Sequence, residues 1–126
     1  MRPPVLQIIF NEISAAEISS LDTELQLELL TEFTVTPDDL ENLDGDRFGK
    51  LERDGKTFYR YRAKEYRIYF EVGGDDVIVH RVLHKNTFTD FLFRSNLSSN
   101  EDEQLSQSKN FWKLIEEGEN ARQVRR

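Results

Sequence analysis

The sequence predicts an α+β domain: an N-terminal strand and a helical hairpin packed on an antiparallel β-meander, with helices again at the C-terminus. Three observations carry that expectation. The chain opens on a short apolar β-branched run, continues with leucines spaced by three and four, and then alternates with period two through its middle third. The alternation is clearest from Phe58 to Glu71, FYRYRAKEYRIYFE. On paired strands Tyr59 and Tyr61 share one face and Arg60 and Arg62 the other. After Ala63-Lys64-Glu65, Tyr66, Ile68, Phe70 and Val72 take one face, while Arg67, Tyr69 and Glu71 take its opposite.

Element by element, Val5 to Phe10 reads as the first strand, with Pro3 and Pro4 at its leading edge. Ser14-Ala15-Ala16-Glu17 has capping-box spacing and predicts a helix start. Ile18, Leu21, Leu25 and Leu29 form its apolar stripe, widened by Leu30 and Phe33, and Asp22-Thr23-Glu24 offers a second cap. A hairpin or kinked helix is therefore expected from about Ser14 to Phe33. Thr36-Pro37-Asp38-Asp39 predicts one further helical turn, because proline suits the first helical position and acids suit the first turn. Arg47 to Arg53 reads as a strand ending at Asp54-Gly55, a hairpin signal. Gly73-Gly74-Asp75 marks the next turn, and Val77 to Leu83 has the continuous apolar character of a central strand. Phe88, Phe91 and Leu92 suggest a short helix. The polar run from Ser95 to Gln104 reads as a linker or disordered loop. A last amphipathic helix starts near Leu105 and carries Ser108, Trp112 and Ile115, with Gly118 near its end. The expected division is thus a domain over 1–94, a linker over 95–104, and a helix and tail over 105–126.

With 126 residues, one domain and one core are expected. The chain has no cysteine, which excludes disulfides, thiolate metal sites and a cysteine nucleophile. The N-terminal apolar run is too short for a signal peptide and no window reaches membrane-spanning length, so a cytoplasmic location without membrane contact is expected. The net charge of -7 is unevenly distributed. Counted from the sequence, residues 1–46 carry about -10, residues 47–94 about +4 and residues 95–126 about -1. Such a basic centre can present a positive face on an acidic protein, because exposed charges beyond the Debye length of about 8 to 10 Å are largely screened. Salt-bridged strands beside solvated helices explain the same charges equally well.

A strand, two helices and a meander with alternating basic residues resemble the RelE/ParE toxin superfamily. The matching text is Leu51-Glu52-Arg53-Asp54-Gly55, Tyr59-Arg60-Tyr61-Arg62, Glu65-Tyr66-Arg67-Ile68-Tyr69, and Val77 to Leu83 closing in His84-Lys85. The likeness covers about residues 5–94 and implies a RelE-like fold. It implies a toxin held by a cognate antitoxin. RelE-like members cleave mRNA on the ribosome without a metal or other cofactor; ParE-like members inhibit DNA gyrase. A homodimer is left open, as is a toxin-like RNA- or protein-binding role without chemistry.

Carried over position by position, Arg60 and Arg62 match the family's basic strand pair and Arg67 the arginine of its Tyr-Arg strand. Arginine suits a scissile phosphate because its planar, always-charged fork can bind two oxygens. Lys64 and Lys85 complete the expected phosphate-binding set. The family's ribonucleases often place an arginine where this chain has His84-Lys85-Asn86, and a catalytic tyrosine where it has Phe91-Leu92-Phe93. His84 then stands as the candidate acid or base beside Arg62 and Arg67, with His80 four residues earlier expected on the same side. The resemblance thus implies a metal-independent endoribonuclease with an incomplete catalytic set. The C-terminal helix is expected either to pack on the domain or to cover its functional face.

Overall fold

A computed structural model describes residues 5–87 and 101–124. Strand β1 (Gln7–Asn11) leads directly into helix α1 (Glu12–Ser19), followed by α2 (Thr23–Glu32) and a short α3 (Pro37–Glu41). Next comes the meander of β2 (Phe48–Arg53), β3 (Lys56–Ala63), β4 (Tyr66–Gly73) and β5 (Asp76–His84). After it lie α4 (Glu101–Leu105), α5 (Lys109–Glu119) and a two-residue strand β6 (Gln123–Val124). The α+β architecture expected from the sequence is the one observed.

All six strands form one sheet in the order β2-β3-β4-β5-β1-β6. The meander is antiparallel, whereas β1 lies parallel to β5 with Ile8 opposite Val77 and Phe10 opposite Val79. Tight turns join the meander strands. Asp54 and Gly55 both have positive φ (52° and 79°), the backbone an Asp-Gly hairpin turn requires.

The sheet has two apolar faces. Leu6, Ile18, Leu29, Phe33, Val35, Phe48, Tyr61, Ile68, Phe70 and Val79 join α1, α2 and one face in the larger core. On the opposite face Leu51, Phe58, Tyr69 and Leu83 pack against Leu105, Phe111, Trp112 and Ile115 of the C-terminal helices. Burying each such large side chain contributes about 1.5 to 3 kcal/mol, so the C-terminal segment is a substantial part of the folded state.

Four local expectations change. Helix α1 is capped by Asn11, whose side chain accepts from Ser14 N while Ser14 Oγ accepts in return from Asn11 N, so the helix begins earlier than the Ser14-Glu17 spacing suggested. Leu30 is 43% exposed and lies off the buried stripe, whereas Phe33 is core. The polar run expected as a linker is helical over Glu101–Leu105, with Asp102, Gln104 and Leu105 buried. The last helix proper starts at Lys109, capped by Ser108. The short helix expected around Phe88 to Leu92, and residues 95–100, lie outside the described residues.

Candidate functional site

Strands β3 and β4 set the site. Their register places Arg60 opposite Tyr69 and Arg62 opposite Arg67, so the three arginines occupy one face, as the alternation required. That face is the one covered by α4 and α5.

Arg60 is the most buried of the three, at 1% exposure. Its Nε donates to Asp102 Oδ1 at 3.0 Å and its Nη2 to Oδ2 at 2.8 Å, a bidentate pair across 42 residues of sequence. The remaining donors meet backbone carbonyls: Nη1 that of Asp46 at 2.7 Å, Nη2 that of Gly45 at 3.1 Å. Burial alone would lower the guanidinium pKa, but the hydrogen bonds and charge of Asp102 reverse this and raise it. Arg60 therefore holds the β2 entry loop and α4 together.

Arg62 and Arg67 are less fully engaged. Arg62 Nη1 reaches Asp46 Oδ1 at 2.8 Å, and its Nη2 lies 3.9 Å from Glu101 Oε2. Arg67 gives Nη1 to the carbonyls of Lys64 and Tyr66, and its Nε lies 3.6 Å from the same Glu101 oxygen. Both Nε atoms are buried without a hydrogen-bond partner. Tyr69, on this face, packs edge-on against Phe111 with its phenol pKa raised by burial.

Lys64, His84 and Lys85 gather at the β3–β4 turn end of the sheet, with His84 on the face away from the arginines. His84 pairs with Tyr66 in register and meets that ring edge-on at 5.2 Å, on the α1–α2 side. Its Nε2 lies 3.3 Å from Glu65 Oε2, and its Nδ1 accepts from Asn86 N. A bulge in β5 at the Tyr69/Phe70 register shift puts His80 on the opposite face, so the two histidines do not share a side. His80 lies near Phe58 and bonds Glu71 Oε1 through Nε2 at 2.8 Å. Lys64, at a turn position with φ 57°, pairs with Glu28 of α2. Lys85 meets Glu65 at 3.3 Å; hydrogen bonding from Lys85 is the main cause holding the Glu65 carboxyl below its ordinary value, His84 adding to it. Thus Arg62 and Arg67 sit together, while His84, Lys64 and Lys85 stand apart from them.

Three residues that organise this arrangement were not anticipated. Asp102 and Glu101 fell in the stretch read as a linker. Arg81 donates to both Glu17 oxygens and to the carbonyl of Leu114, tying α1 to α5. The acidic triplet Glu101-Asp102-Glu103 immediately before an apolar Leu105 was the one available signal. Among the described residues no group of three or more His, Asp or Glu side chains is placed to hold a metal ion, and no helix is long and apolar enough to cross a membrane.

A helical hairpin packed behind a meander, with arginines on the far face of its two middle strands, defines a toxin-like domain of the RelE/ParE type. The family pattern described as "ParE toxin of type II toxin-antitoxin system, parDE" matches residues 16–87, and the chain belongs to that family. No curated protein matches the chain. Membership implies a cognate antitoxin as partner. The C-terminal segment that covers the arginines lies beyond the matched residues.

Proposed function

We propose that this ParE-family toxin acts by binding its target, in the gyrase-directed mode of its superfamily, and not by cutting mRNA. One observation carries the reading: Arg60, the first of the matched basic strand pair, is buried in a bidentate pair with Asp102, its other donors on backbone carbonyls. Phosphoryl cleavage without a metal needs cations around the phosphate and a base and acid in reach. His84, the sequence's candidate for acid or base, lies across the sheet from Arg62 and Arg67. Purified protein should inhibit supercoiling by gyrase and leave transcripts intact in a ribosome assay. Unaffected supercoiling would sink the proposal.

Ribosome-dependent mRNA cleavage is the second reading. It is favoured by the Nε atoms of Arg62 and Arg67, buried donors without a hydrogen-bond partner on adjacent strands. Transcripts cleaved in the ribosome assay, and spared by Arg67→Ala, would establish it.

A further inference from the structure

A half-enclosed cavity of about 220 Å3 lies where the end of α5 meets β3, β4 and β5, and none of Arg60, Arg62 and Arg67 lines it. Its charged walls are Lys56 on β3, Glu71 on β4 and Glu119 on α5, with His80 on β5 beside them. Ile78 and Ala121 supply apolar surface. Two carboxylates thus face one ammonium, and the last turn of α5 carries no basic residue to offset the negative pole of the helix. The cavity favours positive charge. Its hydrogen-bonding groups have the same bias. Glu71 Oε1 is held by His80 Nε2 at 2.8 Å and Glu119 Oε2 by Lys56 Nζ at 2.8 Å, which leaves the second oxygen of each without a hydrogen-bond partner among the described residues. A carboxylate only accepts, so the His80 ring donates through Nε2 and the lone pair of the neutral ring falls on Nδ1. That Nδ1 is buried without a hydrogen-bond partner, in a side chain only 6% exposed.

We propose that this cavity is a binding site for a small guanidinium-class cation, held by Glu71 and Glu119 with His80 Nδ1 accepting one further N–H. Three acceptors on three different elements, one of them buried, call for a ligand that brings several N–H donors. Guanidinium meets that need better than ammonium, because its planar fork presents donors to separate walls at once. It is also more weakly hydrated, so it enters a cavity lined partly by Ile78 and Ala121 more readily. Lys56 shows that both acids act on one cation: its pKa is raised, first by the hydrogen bond to Glu119 and then by the charges of Glu71 and Glu119. Lys56 therefore competes with the ligand for Glu119. The site is separate from the arginine cluster and does not depend on whether the toxin meets gyrase or mRNA.

The test titrates the isotope-labelled full chain with methylguanidinium, methylammonium and tetramethylammonium up to about 20 mM, far below denaturing guanidinium concentrations. NMR follows the amides of Gly118 and Ala121 and the ring nitrogens of the two histidines. Methylguanidinium should shift Gly118, Ala121 and His80 Nδ1 while leaving His84 unmoved. Methylammonium should bind more weakly, and tetramethylammonium, which has no N–H, not at all. E71Q should weaken methylguanidinium binding about tenfold, the worth of one charge-assisted hydrogen bond. K56M should tighten it, whereas K50M, which removes the same charge from β2 outside the cavity, should not. No shift at these signals, or equal shifts from methylguanidinium and tetramethylammonium, overturns the proposal. So does methylammonium binding as tightly as methylguanidinium, or K56M behaving like K50M. The three-cation comparison needs only the native chain, so it decides even if E71Q does not fold. Neither gyrase nor ribosomes enter the readout, so its failure would leave the proposed function standing.

Discussion

Gly49 and Arg60 face each other across β2 and β3, and the missing Cβ of Gly49 is the space in which the Arg60–Asp102 pair sits. An added methyl would stand 2.1 Å from Asp102 Oδ2 and 2.3 Å from Arg60 Nη2. Gly49→Ala should therefore cost about 1 to 3 kcal/mol by overpacking, although alanine would gain backbone entropy in a strand. Urea unfolding measures it. An unchanged or higher midpoint would mean that the ion pair shifts aside freely.

The same pair predicts an asymmetry. Arg60→Met strands Asp102 and Asp102→Leu strands Arg60, and a buried charge that loses its partner typically costs about 3 to 5 kcal/mol. Replacing both removes both charges, and such exchanges are often neutral or stabilising. The double variant should unfold later in urea than either single one. If it were the least stable of the three, the pair would be a net stabiliser and not mainly a device for docking α4.

That pair also marks how far the sequence could be read. Period-two alternation correctly separated Tyr59, Tyr61, Ile68 and Phe70 from Arg60, Arg62 and Arg67, because a buried face fixes strand register. The turns at Asp54-Gly55 and Gly74 were equally legible, since their backbone conformations favour those residues. Alternation cannot see a bulge, however, and the one in β5 sends His80 and His84 to different faces. Nor could local pattern show that Asp102 meets Arg60. A single buried acid in a polar stretch is identified only by a partner 42 residues away. The parallel pairing of β1 with β5 was missed for the same reason: it is a long-range contact with no turn to announce it.

Asn11 caps α1 through its side-chain oxygen, while its side-chain nitrogen donates to the carbonyls of His80 at 3.1 Å and Gly118 at 2.7 Å. Asparagine and aspartate are comparable caps, so at an ordinary helix start Asn→Asp changes little. Here Asn11→Asp keeps the cap acceptor but removes both donors and turns a carboxylate toward buried carbonyls. It should destabilise by at least about 1 to 3 kcal/mol, as much as Asn11→Ala or more. Thermal melts of the two variants check this; an innocuous Asn11→Asp would show that the tie to α5 contributes little.

Alkaline pH should weaken the fold through Tyr61. Burial first, and the nearby Glu32 carboxylate that accepts its hydroxyl at 3.1 Å, push its pKa from 10.0 up to about 12. The folded state thus holds the proton more tightly than the unfolded chain. Its contribution, on the order of 2 kcal/mol, is fully present below pH 10 and is lost as pH rises from there toward about 12. Tyr69 shifts in the same direction. Urea midpoints at pH 9 and 11 should fall between the two, and Tyr61→Phe should reduce that fall. An equal fall in the variant would assign the pH dependence elsewhere.

Gly118 poses the sharpest contrast with Gly49, because the obstacle is backbone. In an exposed helix interior, replacing glycine by alanine stabilises by about 1 kcal/mol. On α5 the new Cβ would lie 2.5 Å from the His80 carbonyl oxygen and 2.9 Å from its carbon, backbone atoms of β5 whose oxygen accepts from the Asn11 side chain. Neither can rotate away, so α5 itself must lift, disturbing the Asn11 bond to the Gly118 carbonyl and the packing of Ile115 and Trp112. The sign should therefore reverse, with Gly118→Ala losing at least about 2 kcal/mol, more than Gly49→Ala. Trp112 reports the cause directly: it is the chain's single tryptophan, 6% exposed against Phe58 and Phe111. Its emission should shift to the red in the folded Gly118→Ala protein and stay native in Gly49→Ala. A stabilised variant with unshifted emission would show that α5 has slack against β5, contrary to the close approach seen at His80.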